Sequence, residues 1–260
     1  MRVRLIIIVA FMMFSFRVPS YAEVASGYIA GVWEADTPGG KFEILSVVAY
    51  KSDYDYRLII LDPGFLIDEY EFQTGELLAK LEPDGYLKWK AEEKFRFPIW
   101  AGGGSYMGET EYSVDDDDNL LFHTDDEAAI YSDYKFSKIA DGIKAAGVWK
   151  STDDVYDLKF ILVPLADGTW EGRFLTLSLP DSAFSHLENG DAILRGKIPP
   201  DPRPVDVEFL KGNVDIANSY VIDWEWVDLR LAMPDTDELV LSYGEVAESN
   251  LVLLDFERIY

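Results

Sequence analysis

The tetrapeptide Ala30-Gly31-Val32-Trp33 recurs letter for letter as Ala146-Gly147-Val148-Trp149, 116 residues further on. Each copy opens a segment with a matching end: Tyr134-Lys135-Phe136-Ser137-Lys138-Ile139 in the first, Leu254-Asp255-Phe256-Glu257-Arg258-Ile259 in the second. Between these landmarks, Gly75-Glu76-Leu77-Leu78-Ala79-Lys80 answers Gly190-Asp191-Ala192-Ile193-Leu194-Arg195. The turn-like run Val114 to Leu121 answers Met233 to Val240. Ordered matches with small drifts in spacing indicate a tandem duplication with insertions in loops. Two copies make a pair of domains, not a solenoid. The expected domains are 27–140 and 146–260. Ala140 to Ala145, at their junction, is too short to act as a free linker, so the domains are expected to touch.

Within each copy the pattern is β. Phe42 to Tyr50 and Tyr56 to Leu61 are rich in branched and aromatic residues, with turn chemistry at Lys51-Ser52-Asp53. Glu82-Pro83-Asp84-Gly85 predicts a tight reversal before the alternating run Tyr86 to Lys90. In the second copy, Leu158 to Leu165 and Thr169 to Leu177 flank Ala166-Asp167-Gly168, a hairpin signal. Tyr220 to Leu231 and Glu238 to Ser242 flank a turn at Met233 to Asp237, and Asn250 to Ile259 is the closing strand. Short helical turns are expected at 63–70 and 182–188. No long stretch has helical period. Many short strands with regular turns give an all-β chain of two antiparallel barrels, with a pair of β-sandwiches as the alternative.

The first 22 residues read as a secretory signal peptide. Arg2 and Arg4 precede an apolar run from Leu5 to Phe14, and small residues precede a cut after Ala22. The run is short for a membrane span, and no transmembrane segment is expected once it is removed. The chain has no cysteine, so an exported fold would be held by its core alone. These features predict a periplasmic or secreted protein. The formal net charge of −25 repels phosphate backbones, which argues against a nucleic-acid partner.

Gly-x-Trp at the start of a first strand, with a basic residue near the end of a last strand, resembles the lipocalin and calycin superfamily of small antiparallel barrels. The positions are Gly31, Trp33 and Lys138, then Gly147, Trp149 and Arg258. The resemblance implies that each tryptophan plugs one end of a barrel and that the basic side chain packs over its ring. It also implies that the glycine lets the first strand bend. The copies are shorter than typical lipocalins and lack their disulfides, so a reduced calycin-like barrel is the expected form. An outer-membrane barrel fits less well, because Arg258 breaks the terminal alternation and acidic residues sit within the strands.

No residue set spells out a reaction. His123 and His186 have no second histidine or cysteine to complete a zinc site. Asp115-Asp116-Asp117-Asp118-Asn119 lacks the glycine and glutamate an EF-hand needs and reads as a solvated turn. Ala101-Gly102-Gly103-Gly104-Ser105 is a flexible loop without the lysine of a phosphate cradle, and its neighbours Trp100 and Tyr106 are candidates to rim a pocket. Tyr220, Trp224 and Trp226 share one strand face, a row suited either to lining an apolar cavity or to filling a barrel. No metal or cofactor is expected. The leading expectation is a non-enzymatic protein that binds a small apolar or aromatic ligand in a lipocalin-like barrel. The alternative is a cell-envelope interaction module with filled barrels and an acidic surface facing a protein, cations or a glycan.

Overall fold

The computed structural model describes residues 29–37, 39–49, 55–66, 70–124, 134–152, 158–176, 187–215, 220–243 and 254–260, with side chains at all of these except 213–215 and 220–222. The first eight strands are β1 (Gly31–Thr37), β2 (Gly40–Val48), β3 (Tyr56–Asp62), β4 (Leu77–Gly85), β5 (Lys88–Arg96), β6 (Ser105–Val114), β7 (Leu120–His123) and β8 (Lys135–Asp141). The second eight are β9 (Gly147–Ser151), β10 (Lys159–Pro164), β11 (Trp170–Thr176), β12 (Ala192–Gly196), β13 (Val205–Asp215), β14 (Tyr220–Asp235), β15 (Glu238–Ser242) and β16 (Leu254–Arg258). In each set every strand pairs antiparallel with the next, and the last returns to the first. The chain is two closed eight-stranded up-and-down barrels in tandem, of calycin-like form. Closure excludes the sandwich alternative, because each first strand is bonded on both sides and leaves no sheet edge. Among the described residues, no helix is long and apolar enough to cross a membrane.

The repeated glycines sit where each barrel seals. Gly31 has φ +138°, and a Cβ there would lie 2.3 Å from the backbone oxygen of Ala140 on β8. The β1–β8 ladder shifts register one residue later, between Val32 and Trp33. Gly147 has φ +145°, and its Cβ would lie 2.8 Å from the backbone oxygen of Tyr260. Positive φ and close backbone approach both demand glycine, which is why the letter repeats.

Inward positions alternate along the strands and form the core of each barrel. In barrel 1 the core gathers Trp33, Phe42, Tyr56, Trp89, Tyr112 and Phe136. In barrel 2 it gathers Trp149, Phe160, Trp170, Leu231, Leu239 and Phe256. Edge-to-face pairs mark each interior, Phe42 with Phe136 at 5.5 Å and Phe160 with Phe256 at 5.0 Å. Such pairs add about 0.5–1.5 kcal/mol beyond area burial.

A third apolar cluster lies outside both interiors and joins the barrels. It takes Val32, Leu45 and Val47 from the first barrel and Val148, Ile161 and Val163 from the second, together with Ile59 and Leu61. The three pairs Val32/Val148, Leu45/Ile161 and Val47/Val163 are each 116 residues apart. Both repeats thus offer the same patch to one another, the self-complementary pattern of a two-fold dimer. The sequence cause is a run without alternation. Ile44 to Val47 and Phe160 to Pro164 are buried at every position, because both strand faces are covered.

Two turns fall later than the sequence suggests. β4 runs through Glu82-Pro83-Asp84-Gly85, and the reversal comes at Tyr86-Leu87, where Leu87 takes a left-handed φ of 52°. β14 runs through Met233 and Pro234, and its turn is Thr236-Asp237. In both, the bend sits at a strand irregularity beside the proline. Ala166-Asp167-Gly168 is a turn, held by the Thr169 amide donating to Asp167 Oδ1 at 2.9 Å. Leu66 and Tyr70 take helical backbone. Lys51-Ser52-Asp53 and nearly all of 182–188 lie outside the described residues, as does the segment 1–28 with its expected signal peptide.

Candidate functional site

β5 alternates Lys88-Trp89-Lys90-Ala91-Glu92-Glu93-Lys94-Phe95-Arg96. Trp89, Ala91, Glu93 and Phe95 are buried, so the pleat carries a carboxylate into barrel 1. Glu93 is 5% exposed. The next strand supplies its partners: the Thr110 hydroxyl donates to Glu93 Oε2 at 3.0 Å, and the Tyr112 hydroxyl donates to the same oxygen at 2.9 Å. Burial pushes the Glu93 carboxyl up to about 7, against the two hydrogen bonds, which favour its charged form. Tyr112 is raised too, by its own burial and then by the neighbouring acid.

The site lies between a plug and a covered mouth. At one end Trp33 is buried beneath the barrel floor and donates from Nε1 to the Ile29 oxygen at 2.8 Å. At the other end Leu66, Tyr70 and Phe72, from the β3–β4 connection, join the core. Arg96 packs over the Phe72 ring at 5.0 Å and donates to Glu76 Oε1 at 2.6 Å, and Lys94 donates to the same oxygen. Burial alone would push the Glu76 carboxyl up, but these two cations outweigh it and hold it below the usual range. Aromatic rings follow one another toward the mouth. Tyr112 and Phe122 lie 5.4 Å apart, Phe122 and Tyr134 6.1 Å. Tyr134 is raised first by burial and then by Tyr70 and Glu93, which places it within electrostatic reach of both.

Barrel 2 has no such group at the matching positions. The β5–β6 ladder pairs Trp89 with Tyr112, Ala91 with Thr110 and Glu93 with Gly108. The β13–β14 ladder pairs Val205 with Leu231, Val207 with Leu229 and Phe209 with Val227. The three polar positions Glu93, Thr110 and Tyr112 therefore correspond to Phe209, Leu229 and Leu231. The fold closes with an apolar side chain at each, so the polar set is not a requirement of the barrel.

The barrel-closure residues form matching pairs. Lys138 Nζ lies 5.3 Å from the Trp33 ring centroid, and Arg258 Cζ lies 4.7 Å from that of Trp149. Trp149 Nε1 donates to the Ala145 oxygen at 2.9 Å, the counterpart of the Trp33 bond. Burial lowers the Arg258 guanidinium to about 10, which leaves it charged at neutral pH.

The aromatic candidates are placed differently. Trp100 is 83% exposed, in a 3-10 turn at Ile99–Ala101 on the β5–β6 hairpin loop. Tyr106 is half-buried and stacks on Phe95 at 5.2 Å, at the mouth of barrel 1. Trp224 and Trp226 do not line the interior of barrel 2. Val227, Leu229, Leu231 and Met233 belong to its core, and the tryptophans have the opposite phase. Trp226 instead lies beneath Arg195 on the outer face, 4.1 Å from ring centroid to guanidinium carbon. The ladder there runs from Val205↔Leu231 to Asp215↔Tyr220, past Leu194↔Phe209, the farthest pair formed by β12. Tyr220 belongs to this hairpin, and its side chain lies outside those described. His123 is exposed at the end of β7, and His186 lies outside the described residues. Asp115 Oδ1 accepts from the amides of Asp117 and Asn119 and from Asn119 Nδ2, so this carboxylate closes its own turn.

Sequence reasoning passed over Glu93, Thr110 and Tyr112. The signal was present: Trp89, Ala91, Glu93 and Phe95 share one parity, which puts one acid on an apolar face. Outside the barrels, a groove of about 870 Å³ includes Gly75, Arg96, Lys159 and Tyr260, and the Tyr260 hydroxyl donates to the Gly75 oxygen at 3.2 Å. Comparison of the chain with protein-family models, with curated proteins and with solved structures gives no match.

Proposed function

We propose that the protein is an exported, non-enzymatic binder of a small aromatic or apolar molecule, held lipocalin-fashion in barrel 1, with barrel 2 as a filled structural partner. The observation that carries this reading is the buried set Glu93, Thr110 and Tyr112, answered in barrel 2 by Phe209, Leu229 and Leu231. An apolar interior with a few convergent polar groups is the usual composition of a small-molecule site. A duplicated scaffold with an acid and two hydroxyls at three buried positions of one copy, and apolar side chains at the matching three of the other, points to a role for the first copy.

The exposed Trp100 favours a second reading, an envelope interaction module whose acidic surface meets a protein, cations or a glycan. Native mass spectrometry of protein exported to a periplasm and purified without detergent separates the two. The binding reading expects a reproducible added mass that is lost on denaturation. A bare mass, with a protein partner recovered through Trp100, contradicts it.

A further inference from the structure

We infer that the ligand of barrel 1 is an organic ammonium with an aromatic or apolar body, its nitrogen paired with Glu93 and its body set against the rings of Tyr112, Phe122 and Tyr134. This rests on barrel 1 being a binding site. It adds the charge of what binds there.

Glu93 is an acid in an apolar interior, and once ionised, as at pH 8, it is a buried charge without a counter-charge, which is costly. Every group that faces it is neutral. From β4 its ladder neighbour is Ala79, and from β6 it is Gly108. Thr110 and Tyr112 donate hydroxyls to it, and Tyr134 interacts with it from the start of β8 and with Tyr70 from the β3–β4 connection. Among the described residues, no lysine, arginine or histidine acts on it. Both hydroxyls converge on Oε2, so the groups recorded around this carboxyl give it hydrogen bonds and no positive charge.

One further observation agrees. The successive rings Tyr112, Phe122 and Tyr134 offer π faces, which attract an ammonium by about 0.5–2 kcal/mol when desolvated. An anionic ligand would meet repulsion at Glu93.

The test is calorimetric titration of the full exported chain at pH 8 with phenethylammonium, its neutral counterpart phenethyl alcohol, and 3-phenylpropionate. The expected order is ammonium first, alcohol weaker, carboxylate absent. Glu93→Gln keeps a hydrogen-bonding group without the charge. It should weaken the ammonium roughly tenfold or more and the alcohol by much less, so that the preference for the ammonium is lost, with a thermal melt to report that the variant is folded. Should that variant not fold, the wild-type affinity for the ammonium must rise from pH 5.5 to pH 8.5 while that for the alcohol stays level. Binding of the alcohol as tightly as the ammonium, or an ammonium affinity indifferent to Glu93→Gln, overturns the cation and leaves barrel 1 as a site. Binding of none of the three overturns both.

Discussion

The Tyr112 hydroxyl donates to Glu93 Oε2 over 2.9 Å inside barrel 1, with the tyrosine 1% exposed and the glutamate 5%. The pair ties a strand-level accident of parity to the chemistry of the whole barrel, and it has a thermodynamic signature. The folded-state carboxyl is pushed up to about 7, from an ordinary value of 4.5. The native state therefore holds a proton that the unfolded chain has released between those values, and stability falls as pH rises through that window. A displacement of that size corresponds to about 3 kcal/mol. Urea denaturation should find Glu93→Gln more stable than wild type at pH 8 by up to this amount, and equal to it near pH 4. Parallel pH profiles for the two proteins would contradict the burial of this acid.

Arg258 and Lys138 hold corresponding places over their tryptophans but are not equivalent. Arg258 is closer to its ring and also donates to the Lys144 backbone oxygen at 2.7 Å. Lys138 is farther and shares its charge with Asp141 at 3.0 Å. Arg258→Met should cost about 1–3 kcal/mol, the sum of a stacked cation and a charged hydrogen bond. Lys138→Met should cost about 0.5–1 kcal/mol. Thermal melts of the two variants give the order.

The seal glycines predict a second ordering. Alanine at position 31 places Cβ 2.3 Å from a backbone oxygen, and at position 147 it meets one at 2.8 Å. Both also force an L side chain into positive φ, a strain of about 1–3 kcal/mol. Gly31→Ala should lower the melting temperature more than Gly147→Ala. Trp100→Ser, at an exposed loop, should change stability by no more than about 0.5 kcal/mol.

The joint between barrels should be visible as cooperativity. Ile161 is fully buried in the inter-barrel cluster, outside the interior of its own barrel. Ile161→Ala should cost about 2–4 kcal/mol. By loosening the contact it should also turn one unfolding transition into two resolved by calorimetry. A single sharp transition at unchanged temperature would show that the barrels are stabilised independently.

Much of this architecture was legible in the residues. The repeated Gly-x-Trp with Lys138 and Arg258 marks both seals, because a strand crossing at a barrel end has few chemical solutions. Turn positions were less legible where proline misled: Pro83 and Pro234 lie within strands, and the left-handed Leu87 carries a bend that its side chain does not advertise. The row Trp224 and Trp226 was open to either face. Period two groups residues without saying which side is inward, and the phase of Val227, Leu229, Leu231 and Met233 decides it. Glu93 was hidden by composition. In a chain with 48 acidic residues, one more glutamate draws attention only when its parity with Trp89, Ala91 and Phe95 is read.

The most direct test of the central claim transfers the interior of barrel 2 into barrel 1. Glu93→Phe, Thr110→Leu and Tyr112→Leu combined reproduce the side chains of Phe209, Leu229 and Leu231 at the matching ladder positions. Wild type and this triple variant, exported and purified side by side, would be compared by native mass spectrometry after thermal melts establish that both are folded. The account predicts a bound small molecule on the wild type and a bare mass for the variant. The same adduct on both proteins, or on neither, would contradict it.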